Sequence, residues 1–345
     1  VKQCAECVRA CPSGALRKAN NIISVERSKC LSCGACVEAC PQRAVEFPGC
    51  SAEEFEAHLD ALLRTDAGVT GRAILFVCGN DRAPVEDGWL PMRVPCVVMV
   101  PTAAILRSLA AGATTVGMRP CGPECPASAD EIVRGRVDYC QQLLRLLGES
   151  PDRVRLLDPD GSPAPAPMPP VLAASKPTGP VSLFGRGAAA RAVTAMAGCH
   201  SAHLMAFDHD YSPLGLVRVD AQACTSCGNC AGGCPTRALS YERRGENVAL
   251  VYDAALCTGC GRCCSLCPEK NAGAITVTRT TDVSRLAKGP DVLLQDAEVR
   301  CKHCGAPFAS RRMMEHLTAV LGADYGAAIM APLCTDCKGL PAARA

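Results

Sequence analysis

Cys30, Cys33, Cys36 and Cys40 are spaced C-x2-C-x2-C-x3-C and are followed at once by Pro41. The same spacing recurs at Cys224, Cys227, Cys230 and Cys234 with Pro235, and again at Cys257, Cys260, Cys263 and Cys267 with Pro268. Three thiolates in one tight loop, with a fourth just beyond, form the ligand run of bacterial-type [4Fe–4S] clusters. A site of this kind carries single electrons. The chain holds 27 cysteines in 345 residues, so this chemistry dominates it.

In two-cluster proteins the fourth cysteine of each run ligates the other cluster. Cys224, Cys227, Cys230 and Cys267 then hold one cluster, and Cys257, Cys260, Cys263 and Cys234 its neighbour. At the N-terminus Cys30, Cys33, Cys36 and Cys11 complete a third. A fourth has Cys4, Cys7 and Cys40, but the position due for its last ligand is Val1. An upstream cysteine lost with the natural N-terminus is the favoured reading; a non-cysteine ligand, Cys50, or a [3Fe–4S] cluster are the alternatives. Disulfides are disfavoured, because their spacings in secreted proteins are irregular and the chains short. A zinc site takes four ligands in pairs, not triplets with a distant fourth. Gly34, Gly228, Gly259 and Gly261 allow tight loops whose N–H groups face the sulfurs.

Over residues 216–280 the chain resembles the two-[4Fe–4S] bacterial-type ferredoxins, with TRALSYE and NAGAITVTR as the helix turn and strand after each Cys-Pro step. Residues 1–50 resemble a second, N-terminally truncated copy. Between them Cys78, Cys96 and Cys121 each follow a short apolar strand, and Cys125 lies four residues after Cys121. In a parallel sheet such strand ends share one edge, where ligands bind. Four thiolates there suit a [2Fe–2S] cluster or a tetrahedral zinc; the competing view is that Cys78 and Cys96 are small buried apolar residues. The pieces ILFVCGN, VPCVVMVPTAAILRSLAAGATTV, RPCGPECPA and GRVDYCQQLLRLLG resemble the delta (iron-sulfur) subunit of methyl-viologen-reducing hydrogenases. That resemblance implies a [2Fe–2S] cluster on Cys78, Cys96, Cys121 and Cys125. It also implies electron traffic between a hydrogenase or formate dehydrogenase and heterodisulfide-reductase-like partners. The chain departs from the family in having a lone Cys78 where a CxxC pair is usual.

The elements that must position these residues follow from periodicity. Residues 51–66 read as an amphipathic helix with Phe55, Leu59, Leu62 and Leu63 on one face, opened by a Ser51/Glu54 capping box. Strands are expected at 73–77, 90–95, 114–118 and 153–157, and helices at 102–111 and 130–147, an alternation that gives a parallel α/β layer. The expected fold class is α+β and α/β multidomain. The divisions are 1–50 dicluster ferredoxin, 51–158 hydrogenase-delta-like α/β domain, 159–180 Pro-rich linker, 181–215 β-α-β segment, 216–280 dicluster ferredoxin and 281–345 zinc-ribbon-like segment.

In that last segment Cys301, Cys304, Cys334 and Cys337 form a CxxC…CxxC pair around a helix at 311–321, which suits zinc, with a further iron site as runner-up. His303 reads as a bystander. Gly185-Arg-Gly187-Ala-Ala-Ala190 between an expected strand and helix, with Asp208 after the next strand, resembles a dinucleotide fingerprint. Only about one βαβ unit of chain is available there, so a structural role is expected. Cys140, Cys264, Cys199, His200 and His203 read as packing or surface residues.

Aromatics are scarce, with one Trp, five Tyr and six Phe, so the ferredoxin-like parts should depend on metal–thiolate bonds for stability. A net charge of +2 argues against a nucleic-acid surface, and no apolar run is long enough for a membrane span. Cysteine usage points to a reducing, cytoplasmic location, with any membrane association through partners. No acid/base pair, nucleophile or substrate pocket stands out. The expected role is an iron–sulfur electron-transfer subunit with four [4Fe–4S] clusters, one [2Fe–2S] and one zinc. A nucleotide- or flavin-using oxidoreductase and a redox sensor are the alternatives.

Overall fold

The computed structural model describes residues 4–63, 72–122, 124–127, 129–159, 164–165, 182–198, 206–321 and 333–338. Cys199, His200, His203 and most of the expected linker lie outside the described residues. The chain divides into two compact units. The first comprises 1–216, 254–259 and 279–288; the second comprises 217–253, 260–278 and 289–345.

The first unit begins with α1 (Glu6–Arg9), the hairpin β1 (Leu16–Ala19)–β2 (Ile22–Val25), and α2 (Ala35–Glu38). Asn20 and Asn21 both take positive φ, 48° and 63°, as a two-residue hairpin turn requires and Asn tolerates. α3 (Ala52–Leu63) opens on the expected capping box. The Ser51 N–H donates to Glu54 Oε2 at 2.8 Å, and the Glu54 N–H donates to Ser51 Oγ at 3.2 Å. Its buried Phe55 and Leu59 face the sheet, Phe55 stacking on Phe76 at 6.0 Å and meeting Phe184 edge-on at 5.2 Å.

That sheet is parallel, with order β4 (Trp89–Val94), β3 (Ala73–Cys78), β5 (Thr115–Arg119), β6 (Val154–Leu156). α4 (Thr102–Ala110) and α5 (Ala129–Leu146) provide its crossovers. Every residue of β3 is buried, as expected of a central strand in an α/β layer. Ile74 and Phe76 join the large core; Ala73, Leu75 and Val77 join a smaller cluster with Trp89 and Leu157.

The β-α-β expectation for 181–215 holds for α6 (Ala188–Gly198) and β7 (Ala206–Asp208) but not for the first strand. Residues 182–187 are turns. Their polar groups are satisfied by α3 rather than by a ladder: the Leu183 N–H donates to Glu56 Oε1 at 2.8 Å, with the Ser182 hydroxyl 3.1 Å from the same oxygen. β7 pairs antiparallel with β12 (Thr280–Asp282), which leads into α9 (Val283–Lys288).

The second unit contains β8 (Leu216–Val219) paired with β11 (Ile275–Thr278), and the short helices α7 (Asn229–Gly232) and α8 (Arg262–Leu266). Its four-stranded sheet has the order β14 (Pro307–Ser310), β13 (Asp291–Arg300), β10 (Asn247–Tyr252), β9 (Leu239–Arg244). Strand pairing therefore crosses the boundary expected near 280, because β13 adds directly to the β9–β10 hairpin. α10 (Arg311–Leu321) and α11 (Thr335–Lys338) complete the unit. Among the described residues no helix is long and apolar enough to cross a membrane.

Candidate metal centres

Three of the four cysteine runs share one local geometry. The residues flanking the second cysteine take left-handed backbone: Ser32 and Gly34 (φ 53° and 70°), Ser226 and Gly228 (55° and 77°), Gly259 and Gly261 (66° and 71°). This coils the loop around a centre and ends it in a short helix carrying the third cysteine: Cys36 in α2, Cys230 in α7, Cys263 in α8. Successive N–H groups so turned form an anion-binding nest, which fits an iron–sulfide core. The first run has Cys7 in α1 but Ala5, with φ −143°, at the position of the glycine.

Several cysteines grouped by spacing lie close enough to influence one another's thiols. Burial raises the Cys33 thiol, aided by the charges of Cys11 and Cys30. Cys36 is raised by burial and then by Cys33, Cys7 and Cys11. Cys33 is thus near Cys11 and Cys30, and Cys36 near members of both expected N-terminal sets. Cys7 is raised by burial and by Cys40 and Cys4, which places those three together. Cys50 is raised by burial and by Glu54, not by the Cys4 group, and packs against the apolar core. In the second unit Cys230 is pushed up to about 12 by burial, with Cys224, Cys227 and Cys267 as its charged neighbours. These are the neighbours that an exchange of the last ligand between runs would require. Of the remaining set, Cys257 lies in the first unit, buried, and Cys234, Cys260 and Cys263 in the second.

Groups around the sulfurs complement negative charge. The Ala44 N–H donates to Cys40 Sγ at 3.2 Å; Ser13 Oγ lies 3.6 Å from Cys11 Sγ, and Thr236 Oγ1 lies 3.5 Å from Cys234 Sγ. Hydrogen bonds to the sulfurs are one of the levers on cluster potential.

The parallel sheet delivers a further group. Cys78 ends β3, Cys96 follows β4, and Cys121 and Cys125 follow β5, all at one sheet edge. A hydrogen bond from the Cys96 thiol, the largest influence, brings Cys78 down to about 5, with Cys121 as a second donor. Cys96 rises for the converse reason, and burial plus Cys125 and Cys78 push Cys121 up to about 12. Cys78 thus neighbours Cys96 and Cys121, and Cys121 neighbours Cys125. Sequence reasoning missed the support beneath them. The fully buried Arg119 of β5 pairs with Asp81 at 2.5 Å and donates to Ala83 O and Pro84 O, both at 2.9 Å. This pins the loop that leaves Cys78.

Cys301, Cys304, Cys334 and Cys337 offer sulfurs that all lie within 4.8 Å of one another, with Cys304 Sγ and Cys334 Sγ 3.7 Å apart. A zinc–sulfur bond of about 2.3 Å gives a tetrahedral edge of about 3.8 Å. Burial would raise the Cys301 thiol, but the N–H groups of Cys304, Cys334 and His303 hold it at about 6. His303 Nδ1 lies 3.5 Å from Cys337 Sγ, beside the four sulfurs. Ser310 of β14 donates to Ser226 O at 3.1 Å, tying this segment to the loop that carries Cys227.

Among the described residues the glycine-rich loop frames no nucleotide-sized space. A side chain at Gly185 would sit 2.9 Å from Arg43 Cγ, and one at Gly187 2.9 Å from Arg191 Nη1. Asp208 accepts the Thr280 hydroxyl at 2.5 Å. The adjoining cavity is about 80 Å³, against about 300–1,000 Å³ for small-molecule sites. Cys140 is wholly buried, with its thiol pushed up by burial, as a packing residue should be.

Three family models match segments of the chain. One family model described as a 4Fe-4S dicluster domain matches residues 2–41, and another with the same description matches residues 223–272. The model of the methyl-viologen-reducing hydrogenase delta subunit matches residues 73–165. No curated protein matches the chain. The chain thus carries two 4Fe-4S dicluster domains with a hydrogenase-delta-subunit domain between them.

Proposed function

We propose that this protein relays electrons between catalytic partners of a multisubunit oxidoreductase. The partners would be a hydrogenase or formate dehydrogenase on one side and a heterodisulfide-reductase-like or flavin module on the other, in the cytoplasm. The observation that carries the reading is the pair of 4Fe-4S dicluster domains with a hydrogenase-delta-subunit domain between them. Cys11, Cys30, Cys33 and Cys36 hold one [4Fe–4S] cluster; Cys4, Cys7 and Cys40 hold most of a second. Cys224, Cys227, Cys230 and Cys267 hold a third, and Cys257, Cys260, Cys263 and Cys234 a fourth. Cys78, Cys96, Cys121 and Cys125 hold a [2Fe–2S] cluster. Cys301, Cys304, Cys334 and Cys337 hold zinc in a ribbon-like segment, a choice supported by sulfur separations that suit a single ion.

Bound clusters supply one-electron chemistry; the chain supplies everything that tunes it. Left-handed loops aim N–H groups at the cores, Ala44, Ser13 and Thr236 offer hydrogen bonds to individual sulfurs, and burial keeps water away from Cys33 and Cys257. The test is throughput in the assembled complex. Cys230→Ser or Cys260→Ser should abolish turnover with the physiological acceptor while substrate binding on the partner persists. Unchanged turnover in both variants would refute the relay.

A further inference from the structure

The N-terminal dicluster domain is fastened to the rest of the first unit at both of its cluster-bearing ends. One end is α2. A side chain at Gly34 would lie 2.7 Å from Met99 Cβ, so the start of α2 rests on the turn at Val97–Met99 that directly follows Cys96. Cys33, Ala35 and Val37 share one apolar core with Cys78 and Cys96. Arg136 of α5 straps the two together. Its Nη1 donates to Val98 O at 2.5 Å and Val100 O at 2.8 Å, and its Nη2 pairs with Glu38 Oε2 of α2 at 3.0 Å. A buried guanidinium spending its donors on two carbonyls and a carboxylate sets a rigid separation.

The other end is the Cys40 turn. Cys40 and Pro41 line the cavity of about 80 Å³ whose far wall includes Leu214, Leu256 and Cys257. Just beyond this turn Arg43 packs against Gly185, donates to Ser182 Oγ at 3.1 Å and pairs with Glu53. Cys40 and Cys257 thus line one small cavity.

We propose that the N-terminal dicluster domain is an internal link of the relay and not a terminal docking module. Its Cys33/Cys36 end neighbours the Cys78–Cys96–Cys121–Cys125 site, and its Cys40 end neighbours the site that includes Cys257. This deepens the relay reading and rests on it. Each exchange moves one electron, leaving one site oxidised and its neighbour reduced by one, and requires no further reactant. Arg136 is a positioning residue for the first junction.

The test reads magnetic contact in the full chain, purified anaerobically with its clusters in place. A reduced centre next to a faster-relaxing one resists microwave saturation. The electron paramagnetic resonance signal lost in Cys125→Ser identifies the sheet-edge site. In Cys33→Ala that signal should saturate at several-fold lower power than in the unaltered protein. Arg136→Gln should move it the same way with iron content unchanged. At the far end, Cys257→Ala should alter the saturation of the signal lost in Cys7→Ala. Identical saturation in Cys33→Ala, or no response to Cys257→Ala, overturns the proposal. Should a variant lose more than its own cluster, stepwise reduction of the unaltered protein decides. The sheet-edge signal should become harder to saturate as its neighbour is reduced, and constancy overturns the link. A chain with no paramagnetic clusters at all would instead refute the relay itself.

Discussion

Single residues set how the thiolates are presented. Gly34 combines φ +70° with a wall at Met99. Gly34→Ala brings left-handed strain of about 1–2 kcal/mol and a clash at the α2 junction. The expected result is partial loss of iron from the N-terminal domain, read by iron analysis, with the sheet-edge site retained. Arg119 and Asp81 are buried partners with side chains at most 3% exposed. Removing one leaves the other charged and unpaired, which costs about 3–5 kcal/mol. Asp81→Ala should therefore lower the denaturation midpoint steeply and loosen Cys78, measured by urea unfolding and by iron retention. His303, 3.5 Å from Cys337 Sγ, is close enough to steady one thiolate of the C-terminal site. Cys304→Ser should abolish stoichiometric metal there, while His303→Ala should only weaken it, since a neighbour to one sulfur is lost but all four ligands stay.

Elements are where sequence and structure can be compared most directly. The Ser51/Glu54 box, the Phe55/Leu59 face of α3 and the strand–helix alternation through β6 were legible because each depends on contacts close in the chain. The cysteine runs were legible for the same reason, since spacing alone fixes which three sulfurs share a loop. What spacing leaves open is long-range. Nothing local marks Arg136 as the strap between α2 and the turn after Cys96, or β13 as the partner of β10. The turns at 182–187 replace an expected strand because Glu56, some 125 residues earlier, claims the Leu183 N–H and the Ser182 hydroxyl. Phe55 joins three elements through Phe76 and Phe184. Phe55→Ala should cost about 3–5 kcal/mol, measured as a fall in thermal midpoint of the cluster-loaded protein.

At the scale of the whole molecule the two dicluster domains and the parallel sheet differ in what stabilises them. The sheet has a wide apolar core built on β3, α4 and α5. The dicluster parts have short helices of four or five residues and strands such as β2 with every residue exposed. Metal binding there is folding energy. Chelating iron under denaturant-free conditions should melt the dicluster parts while the sheet persists, visible as partial loss of far-ultraviolet circular dichroism and protease cleavage confined to cysteine-rich segments. The central claim is that these thiolates hold iron–sulfur clusters in series. It is tested most directly by iron, acid-labile sulfide and zinc content of anaerobically prepared protein, together with paramagnetic resonance of its reduced form. Four [4Fe–4S] clusters and one [2Fe–2S] give roughly eighteen iron atoms and as many sulfides per chain, with one zinc and interacting reduced-cluster signals. A colourless protein free of labile sulfide, its cysteines paired or holding only zinc, would contradict the account.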